Sequence, residues 1–592
     1  MIQKQFKAGL KTFLTLFAFT FDRILEPNKG ILEQYANREE MASAVWCFLG
    51  VGIFCFFSYV ERHLKHKTLQ KSELCCALFF AVSMLIGKSF SLFNNWNLIL
   101  ADSRQLLCSV ISLIGWTVLF YTLLTLLTAR QLNLEKQSHS GLLDFREERF
   151  LPQKLFGIMA AGWLPYLIAT WPGSVPHDSM WQISMWLGFS EMNNHHPWLT
   201  TAIFGTLMRI GQLVSDNMGI FLIVAFQIVL CSATFTLICL KVRRYGGSAL
   251  YTALFFAVVP LWGCFVSAVL KDMLFTAIYA VYFCCMLNLF HAGTKGKSVN
   301  PKDWIFFLIL NLLVCLIRSD GIYRIMPTGL ILCAAVKQYR KELIACLLLC
   351  CVLFKLYNYI SFDVIGIKEG SKREMLSIPF QQTARYVRDL EDDVTPEEKA
   401  AINAILPYEE LGELYNPELS DPIKNRMKSV TVDEFKHYLN AWLAMGLRHP
   451  GVYIQATLNN TYSYFYPFRN SRVMAAYQNY IKGEPVNPGL DIYYVNYDAR
   501  DAVIGYAELW RVLPALSLLS NPAFYTWLFA TVTTWIIKKK FWRHLAILSI
   551  PAIHLAICVA SPVNGLLRYA LPLMACMPLL WTWAKHECRL QL

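Results

Sequence analysis

Charged residues are scarce in this sequence of 592 residues, because Asp, Glu, Lys and Arg together make up only 16% of it. An ordinary soluble domain contains about a quarter of such residues. A soluble chain of this length also divides into several domains, each of which needs a polar surface. With 56% hydrophobic residues and a mean hydropathy of +0.39, the composition excludes a soluble enzyme, a disordered chain and a coiled coil.

Polar stretches are short along most of the chain, and apolar runs of about 20 residues recur between them, which is typical of a multi-pass membrane protein. We predict an all-α polytopic membrane protein with about 13–14 transmembrane helices. The weakest candidate is 8–21, a signal anchor or interfacial helix, because no small-residue cleavage site follows it. The other candidates are 43–60, 73–90, 106–128, 155–170, 217–240, 248–269, 273–291, 303–317, 322–337, 341–361, 521–537, 541–560 and 566–585.

Lys and Arg are missing from the loop 171–198 and concentrated in alternate loops. The basic loops are 62–71, 130–154, 241–244, 295–302, 337–341 and 538–543. Such loops face the cytoplasm. The net charge of +13 therefore reflects the orientation of the chain in the membrane, and nucleic-acid binding is not expected. The outward segments are then 91–105, 171–199, 270–272, 318–322, 362–520 and 561–566. This alternation requires 197–214 to be a helix that lies at the outer interface without crossing the membrane.

The chain divides into four predicted parts, which are N-terminal transmembrane helices over 1–154, a transmembrane core over 155–361, an extracytoplasmic domain over 362–520 and C-terminal transmembrane helices over 521–592. The extracytoplasmic domain is expected to be mainly helical. Thr395 and Glu398 form a capping box at the start of one helix. A second helix places one apolar face on a core or on the membrane, made of Phe435, Tyr438, Leu439, Trp442 and Leu443. Neither large outer loop contains Cys, so no disulfide is expected there.

Two interpretations are open for the polar residues of the first outer loop, 171–199. Asp178 or Ser179 could cap a helix over 180–188, with Gln182 closing a capping box. His195 and His196 could form a turn before Pro197, or a metal pair that lacks a third ligand at helical spacing. Alternatively, these side chains carry chemistry.

Cations in the outward turns between predicted spans run against the positive-inside rule. Charges at the boundary of an apolar span are also candidates for function. They are Lys271, Arg318, Arg324, Arg385 and Arg568. An anion at the outer face would explain them, and a lipid phosphate is the obvious one, since Arg binds phosphate through two parallel hydrogen bonds. Gln182 and Gln381 are added to this group as candidate substrate contacts.

A sugar linked to a polyprenyl phosphate fits these side chains. The phosphate leaves as an anion, so cations help it more than a general acid does. The acceptor hydroxyl has a high pKa, and a carboxylate such as Asp178 can take its proton in the transition state. Attack from the face opposite the phosphate inverts the anomeric carbon.

The order of features in 155–292 resembles the C superfamily (GT-C) of lipid-phosphate-dependent glycosyltransferases. The residues that carry the resemblance are Asp178, His196-Pro197-Trp198-Leu199, the basic turn Lys241-Val242-Arg243-Arg244 and the corner Lys271-Asp272. The resemblance implies a GT-C-like core in which Asp178 is the catalytic base and Asp272 the second acidic position, with His195 and His196 beside them. The first loop lacks the paired acidic residues of the superfamily.

From about 160 to the C-terminus, the chain also resembles a family of uncharacterised multi-pass proteins of Gram-positive bacteria. The segments that carry this similarity include WPGSVPHDSMWQ, NNHHPWL, IRSDGIY, IPFQQTARY and LRYALPL. It adds little about function beyond kinship with glycosyltransferases.

The sequence therefore predicts a glycosyltransferase of the cell membrane with its active site on the extracytoplasmic face. Its partners would be the bilayer, a polyprenyl-phosphate-linked sugar, and a cell-envelope glycan, glycolipid or protein acceptor. Two alternatives stay open, which are a polysaccharide polymerase or ligase that uses a lipid-diphosphate donor, and a lipid-linked sugar transporter. No cofactor is clearly encoded, and a requirement for a divalent metal is undecided.

Overall fold

A computed structural model describes residues 2–26, 44–63, 70–133, 150–370, 372–468, 489–561 and 563–589. Within these ranges the chain is helical and forms no β-strand, only isolated bridges such as that between Ser174 and Ala268. The predicted basic loops at 64–69 and 134–149 lie outside the described residues. The cysteines are all free.

Within the described residues, seven helical segments are long and apolar enough to cross a membrane. Two sharply bent helix pairs raise the number to nine if each pair is one span. The seven are Val45–His63, Lys71–Phe93, Ser103–Ala129, Asp216–Arg244, Lys271–Thr294, Lys337–Val364 and Trp542–Val559. Each coincides with a predicted span, so the polytopic helical membrane protein is confirmed. The larger count of 13–14 stays a prediction, because it includes helices of only 17 residues such as Pro301–Ile317.

The N-terminal helices pack on one another and, through Lys71–Phe93, on the C-terminal helix Pro522–Lys538. They are α1 (Ile2–Thr20), α2 (Ala44–His63), α3 (Lys71–Phe93), α4 (Asn97–Leu100) and α5 (Ser103–Asn133). In α5, Gly115 allows a close approach of α1, since a Cβ there would lie 2.0 Å from the carbonyl oxygen of Leu14. Lys11 of α1 pairs with Glu61 of α2 at 2.5 Å. The weak candidate 8–21 is therefore a helix that packs against its neighbours.

The central helices build the largest core. They are α6 (Leu151–Ala169), α7 (His177–Leu187), α8 (Trp198–Gly211), α9 (Asp216–Arg244), α10 (Ala249–Val258), α11 (Pro260–Val266), α12 (Lys271–Thr294), α13 (Pro301–Ile317), α14 (Ile322–Ala335) and α15 (Arg340–Tyr359). Gln227 of α9 fixes the corner between α11 and α12. Its amide nitrogen donates to the carbonyls of Val266 and Ala268 at 2.9 and 2.8 Å, and its oxygen accepts from the backbone of Leu270 at 3.3 Å. This buried amide sets where α12 begins.

The first part of the predicted extracytoplasmic domain, residues 372–459, has a hydrophobic core of its own, and we call this part the outer domain. Its helices are α16 (Ser377–Asp389), α17 (Pro396–Ile405), α18 (Leu411–Leu414), α19 (Asp421–Lys424), α20 (Val432–Arg448) and α21 (Pro450–Asn459). The capping box of Thr395 and Glu398 is confirmed at the start of α17. The predicted apolar face of α20 packs on this core except at Leu443, which is 52% exposed. Ala441 and Met445 of the same helix are buried, and whether Leu443 faces the membrane stays a prediction.

The end of the predicted extracytoplasmic domain packs on the central helices instead of on this second core. It contains α22 (Tyr497–Val512) and α23 (Pro514–Ser517), which precede α24 (Pro522–Lys538), α25 (Leu545–Val559) and α26 (Leu567–Arg589). Val503, Ile504 and Trp510 of α22 lie against the main core. The segment 362–520 thus has two parts with different packing.

Candidate functional site

A cavity of about 600 Å³ lies where the outer domain meets the helix ends opposite the basic loops. Six of the ten predicted site residues line it, which are Asp178, His195, His196, Lys271, Arg318 and Arg568. A seventh, Asp272, is 1% exposed and contacts two of these arginines. Residues that are far apart in the chain therefore meet at one place.

Asp178 is the second residue of α7 and does not cap it. The helix begins at His177, one residue after the extended Pro176. Ser179 donates to the carbonyl of Val269, and Gln182 donates to Thr200 at 2.9 Å. The capping interpretation is therefore wrong. The Asp178 carboxylate instead accepts a hydrogen bond from Arg568 at 2.8 Å.

Asp178 begins a row of alternating charges that we call the ion-pair row. Its members are Asp178, Arg568, Asp272, Arg318, Asp320 and Arg324. The N–O distances along it are 2.8, 3.8, 2.6, 3.2 and 2.5 Å. At the far end, Nε of Arg324 donates to Nδ1 of His554 at 3.2 Å. Three carboxylates and three guanidinium groups alternate, so the row carries no net charge.

Lys271 is a cation at this site that forms no ion pair with a carboxylate of the described residues. Within the described chain, no carboxylate oxygen lies within 4.0 Å of its ammonium group, which donates instead to Nδ1 of His196 at 2.5 Å. A charged Lys271 has no acceptor, so with Lys271 in that form the ring nitrogen accepts, and His196 is neutral with its proton on Nε2. This Nε2 is buried and has no hydrogen-bond partner. Lys271 and His196 thus offer a cation and an N–H donor.

The outer domain covers the cavity with a second polar group. Lys424 of α19 pairs with Glu374 at 2.5 Å and with Asp421 at 2.7 Å. Arg373 lies 3.9 Å from Glu374. These four side chains balance one another, so among the described side chains of the cavity the surplus charge remains that of Lys271.

The pKa of Asp178 is held well below its usual range. Burial would raise it, but the nearby Arg568 and Lys271 cations outweigh burial. For His196, burial and the Lys271 ammonium both act in the same direction and lower the pKa to about 2 from an ordinary 6.5. The charge state expected near neutral pH is therefore an ionised Asp178 beside a neutral His196.

We expect the folded state to lose stability as the pH falls below 6.5, partly because of His196. The unfolded chain binds a proton on this ring near its ordinary pKa, whereas the folded chain does not, so acid favours unfolding. At pH 5 this proton binding lowers the free energy of unfolding by about 2 kcal/mol. The melting temperature of the His196→Gln variant in detergent should therefore fall less between pH 7 and pH 5. Replacing the exposed His437 with Gln is the control and should leave the wild-type pH dependence intact.

Three predicted site residues lie elsewhere. Arg385 is buried in the outer domain, where it donates to Asp389 at 3.0 Å and to the carbonyl of Asn94 at 3.0 Å, which ties α16 to the corner after α3. Gln381 donates to the carbonyl of Asn416 at 2.9 Å, and Gln182 is enclosed between α7 and α8. The structure does not bring these side chains to the cavity.

Other cavity residues were not predicted from the sequence. Trp181 of α7, Glu374 and Lys424 line the cavity. Trp181 lies in the segment WPGSVPHDSMWQ, but neither charge nor spacing marked any of the three as a site residue. Glu374 and Lys424 are 50 residues apart, in segments that read as ordinary polar loops. Only the fold places them over Asp178.

The carboxylates of this site do not fit a divalent metal. Asp178 and Asp272, the two acidic positions, are each paired with a guanidinium group. No cluster of three or more His, Cys, Asp or Glu side chains suited to a metal ion occurs in the described part of the chain. The proposed reaction below therefore has no metal-dependent step.

One family model matches this sequence, and its description is "Family of unknown function (DUF6020)". The match covers residues 188–591, which includes every cavity residue from His195 onward and begins shortly after Asp178. No curated protein and no solved structure matches the sequence. Because the match spans more than half of the chain, the protein belongs to the DUF6020 family.

Proposed function

We propose that this protein transfers a sugar from a polyprenyl-phosphate donor to a cell-envelope acceptor on the outer face of the cell membrane. The observation that carries the proposal is the unbalanced cation Lys271, with its neighbour His196, in a cavity that also contains Asp178. A GT-C-like fold with outer juxtamembrane helices is part of the proposal.

The charge balance of the cavity favours a donor with one negative charge. Among the described side chains, the ion-pair row and the group on the outer domain are each neutral, which leaves the single charge of Lys271. A sugar on a polyprenyl monophosphate is a phosphodiester with one negative charge, whereas a lipid diphosphate carries at least two. This argument supports the monophosphate donor over the polymerase or ligase alternative.

The proposed reaction is a single displacement. The acceptor hydroxyl oxygen attacks the anomeric carbon while the bond from that carbon to the phosphate oxygen breaks. The bonding electrons stay on the phosphate, where Lys271, Arg568 and the Nε2–H of His196 stabilise the growing charge. The hydroxyl proton passes to Asp178. Attack on the face opposite the phosphate inverts the configuration.

The pair between Asp178 and Arg568 sets the order of binding. While Arg568 holds Asp178, the carboxylate is a weak base, because a low pKa means a low affinity for the proton. A donor phosphate competes for the same guanidinium and releases the carboxylate next to the reacting hydroxyl. We therefore propose that the donor binds first.

To test the activity, membranes that contain the protein are mixed with synthetic polyprenyl-phosphate sugars, and loss of sugar from the lipid is measured. The proposal expects faster loss than in membranes without the protein. Equal loss in both, for every sugar supplied, would reject it.

Replacing Lys271 with Met should weaken donor binding about tenfold or more, because a hydrogen bond between charged groups contributes roughly 1.5–3 kcal/mol. Binding of farnesyl-phosphoryl glucose to the purified protein is measured by calorimetry in detergent. Lys368→Met is the matched control, because Lys368 is an exposed lysine paired with Glu191. Tighter binding of farnesyl-diphosphoryl glucose than of the monophosphate by the wild type would contradict the charge argument.

A further inference from the structure

Residues 491–496 are an extended segment that we call the strap. The strap and the helix α22 lie across the ends of α6 and α9 that are opposite the basic loops. Asn217 at the start of α9 makes two hydrogen bonds to the backbone of Tyr493, at 3.0 and 3.1 Å. Asn496 donates to the carbonyl of Ile168 at 2.8 Å. The strap is therefore held firmly where α22 begins.

Arg500, in the first turns of α22, is buried without a counter-ion. It is 5% exposed, and its Nε and Nη2 atoms are enclosed without a hydrogen-bond partner. No carboxylate of the described residues lies within salt-bridge distance of it, including Asp498 and Asp501 on the same helix. Burial of an unpaired charge is costly, so native proteins normally pair it.

Two tyrosines compensate part of this cost. The guanidinium carbon lies 4.0 Å from the centre of the Tyr494 ring and 5.5 Å from that of Tyr497. Such cation–π contacts attract the positive charge but supply no oxygen acceptor to the N–H groups.

The two unpartnered nitrogens form one edge of the guanidinium. Nε and Nη2 point their N–H bonds in parallel, which is the fork that binds two oxygens of a phosphate or carboxylate. An anion at this edge would supply both missing acceptors and the missing negative charge. A neutral ligand would supply only the acceptors.

The surroundings favour a lipid as the source of that anion. Arg500 lies near the Asp216 end of α9, opposite the basic end at Lys241–Arg244, which places it on the outer side by the positive-inside rule. Tyr497 is 58% exposed, and Tyr493 and Val495 beside it are exposed as well. Exposed tyrosines next to a cation are typical of the headgroup level of a bilayer.

We propose that Arg500 binds the phosphate of an outer-leaflet phospholipid, at a site separate from the cavity and independent of the proposed transferase activity. The phosphate accepts from Nε and Nη2, and the lipid holds the strap and α22 at the membrane surface. None of the cavity residues takes part in this site.

The test measures lipid bound to the purified full chain by native mass spectrometry, together with its melting temperature. The probes are phosphatidylglycerol, the phosphate-free digalactosyl diacylglycerol, and inorganic phosphate. We expect phosphatidylglycerol to bind and stabilise the wild type, with at least a tenfold weaker affinity in Arg500→Gln. Arg511→Gln is the matched control on the same helix, because Arg511 is paired with Glu508 at 2.8 Å. It should bind the lipid as the wild type does.

Equal binding of phosphatidylglycerol by Arg500→Gln and the wild type would overturn the proposal. If inorganic phosphate stabilises the protein as much as phosphatidylglycerol does, the site binds a soluble anion instead of a lipid. If the galactolipid binds as tightly as phosphatidylglycerol, the site does not recognise phosphate. If Arg500→Gln does not fold, Arg500→Lys keeps the charge and loses the fork. Lipid binding should then be weaker than in the wild type.

Discussion

Replacing Asp178 with Asn should reduce sugar transfer by at least about a hundredfold, because removal of a general base costs roughly 10²–10⁴ in rate. The same change should leave donor binding equal or tighter, because Arg568 loses the carboxylate that competes with the phosphate. Transfer is measured as sugar lost from the lipid-linked donor, and binding is measured by calorimetry with farnesyl-phosphoryl glucose.

The separation of these two effects makes the experiment specific. A merely structural aspartate would lower binding and transfer together as the site loosens. Glu191→Gln is the matched control, because Glu191 lies in the same outer loop but is exposed and paired with Lys368. Transfer by Asp178→Asn at the rate of Glu191→Gln would show that Asp178 is not the base.

Replacing Arg318 with Met should have the largest effect on stability. Arg318 lies between Asp272 and Asp320 and also stacks on Tyr569 at 4.6 Å. Its removal leaves the buried Asp272 with only the 3.8 Å contact to Arg568, and loss of one partner of a buried pair costs about 3–5 kcal/mol. The measurement is the melting temperature in detergent, which should fall clearly below that of the wild type.

A second substitution tests whether the cost is electrostatic. Arg318→Met combined with Asp272→Asn removes the orphaned carboxylate and should melt at a higher temperature than Arg318→Met alone. Lys436→Met breaks an exposed pair with Asp433 and should leave the melting temperature almost unchanged. A fall no larger than that of Lys436→Met would rule out a stabilising role for the row.

Helix positions in this protein could be predicted well because a lipid environment simplifies the signal. A spanning helix must be apolar over its whole length, so a run such as 273–291 marks α12 directly. Capping is equally local, and the Thr395 and Glu398 box follows from four adjacent residues. The packing of α22 could not be predicted, because amphipathic helices look alike on a soluble domain and on a membrane core.

The candidate site could be predicted only in part, because the sequence does not show which distant segments meet. The bias against outward cations singled out Lys271, Arg318 and Arg568, which meet in the cavity. It also singled out Arg385, whose partners are Asp389 in the outer domain and the backbone carbonyl of Asn94 after α3, contacts that no charge rule reveals. Charge and position indicate that a side chain needs a partner, but only the fold shows which one it has.

The ion-pair row also bears on how the chain is made. Asp178 and Arg568 are 390 residues apart, so the carboxylate emerges from the ribosome long before its partner. Lys271 and Asp272 enter the membrane before Arg318 and well before α26 is synthesised. Until α26 arrives, the nascent protein holds these charges without the partners of the finished row. Delivery of Arg568 by α26 therefore completes the row last.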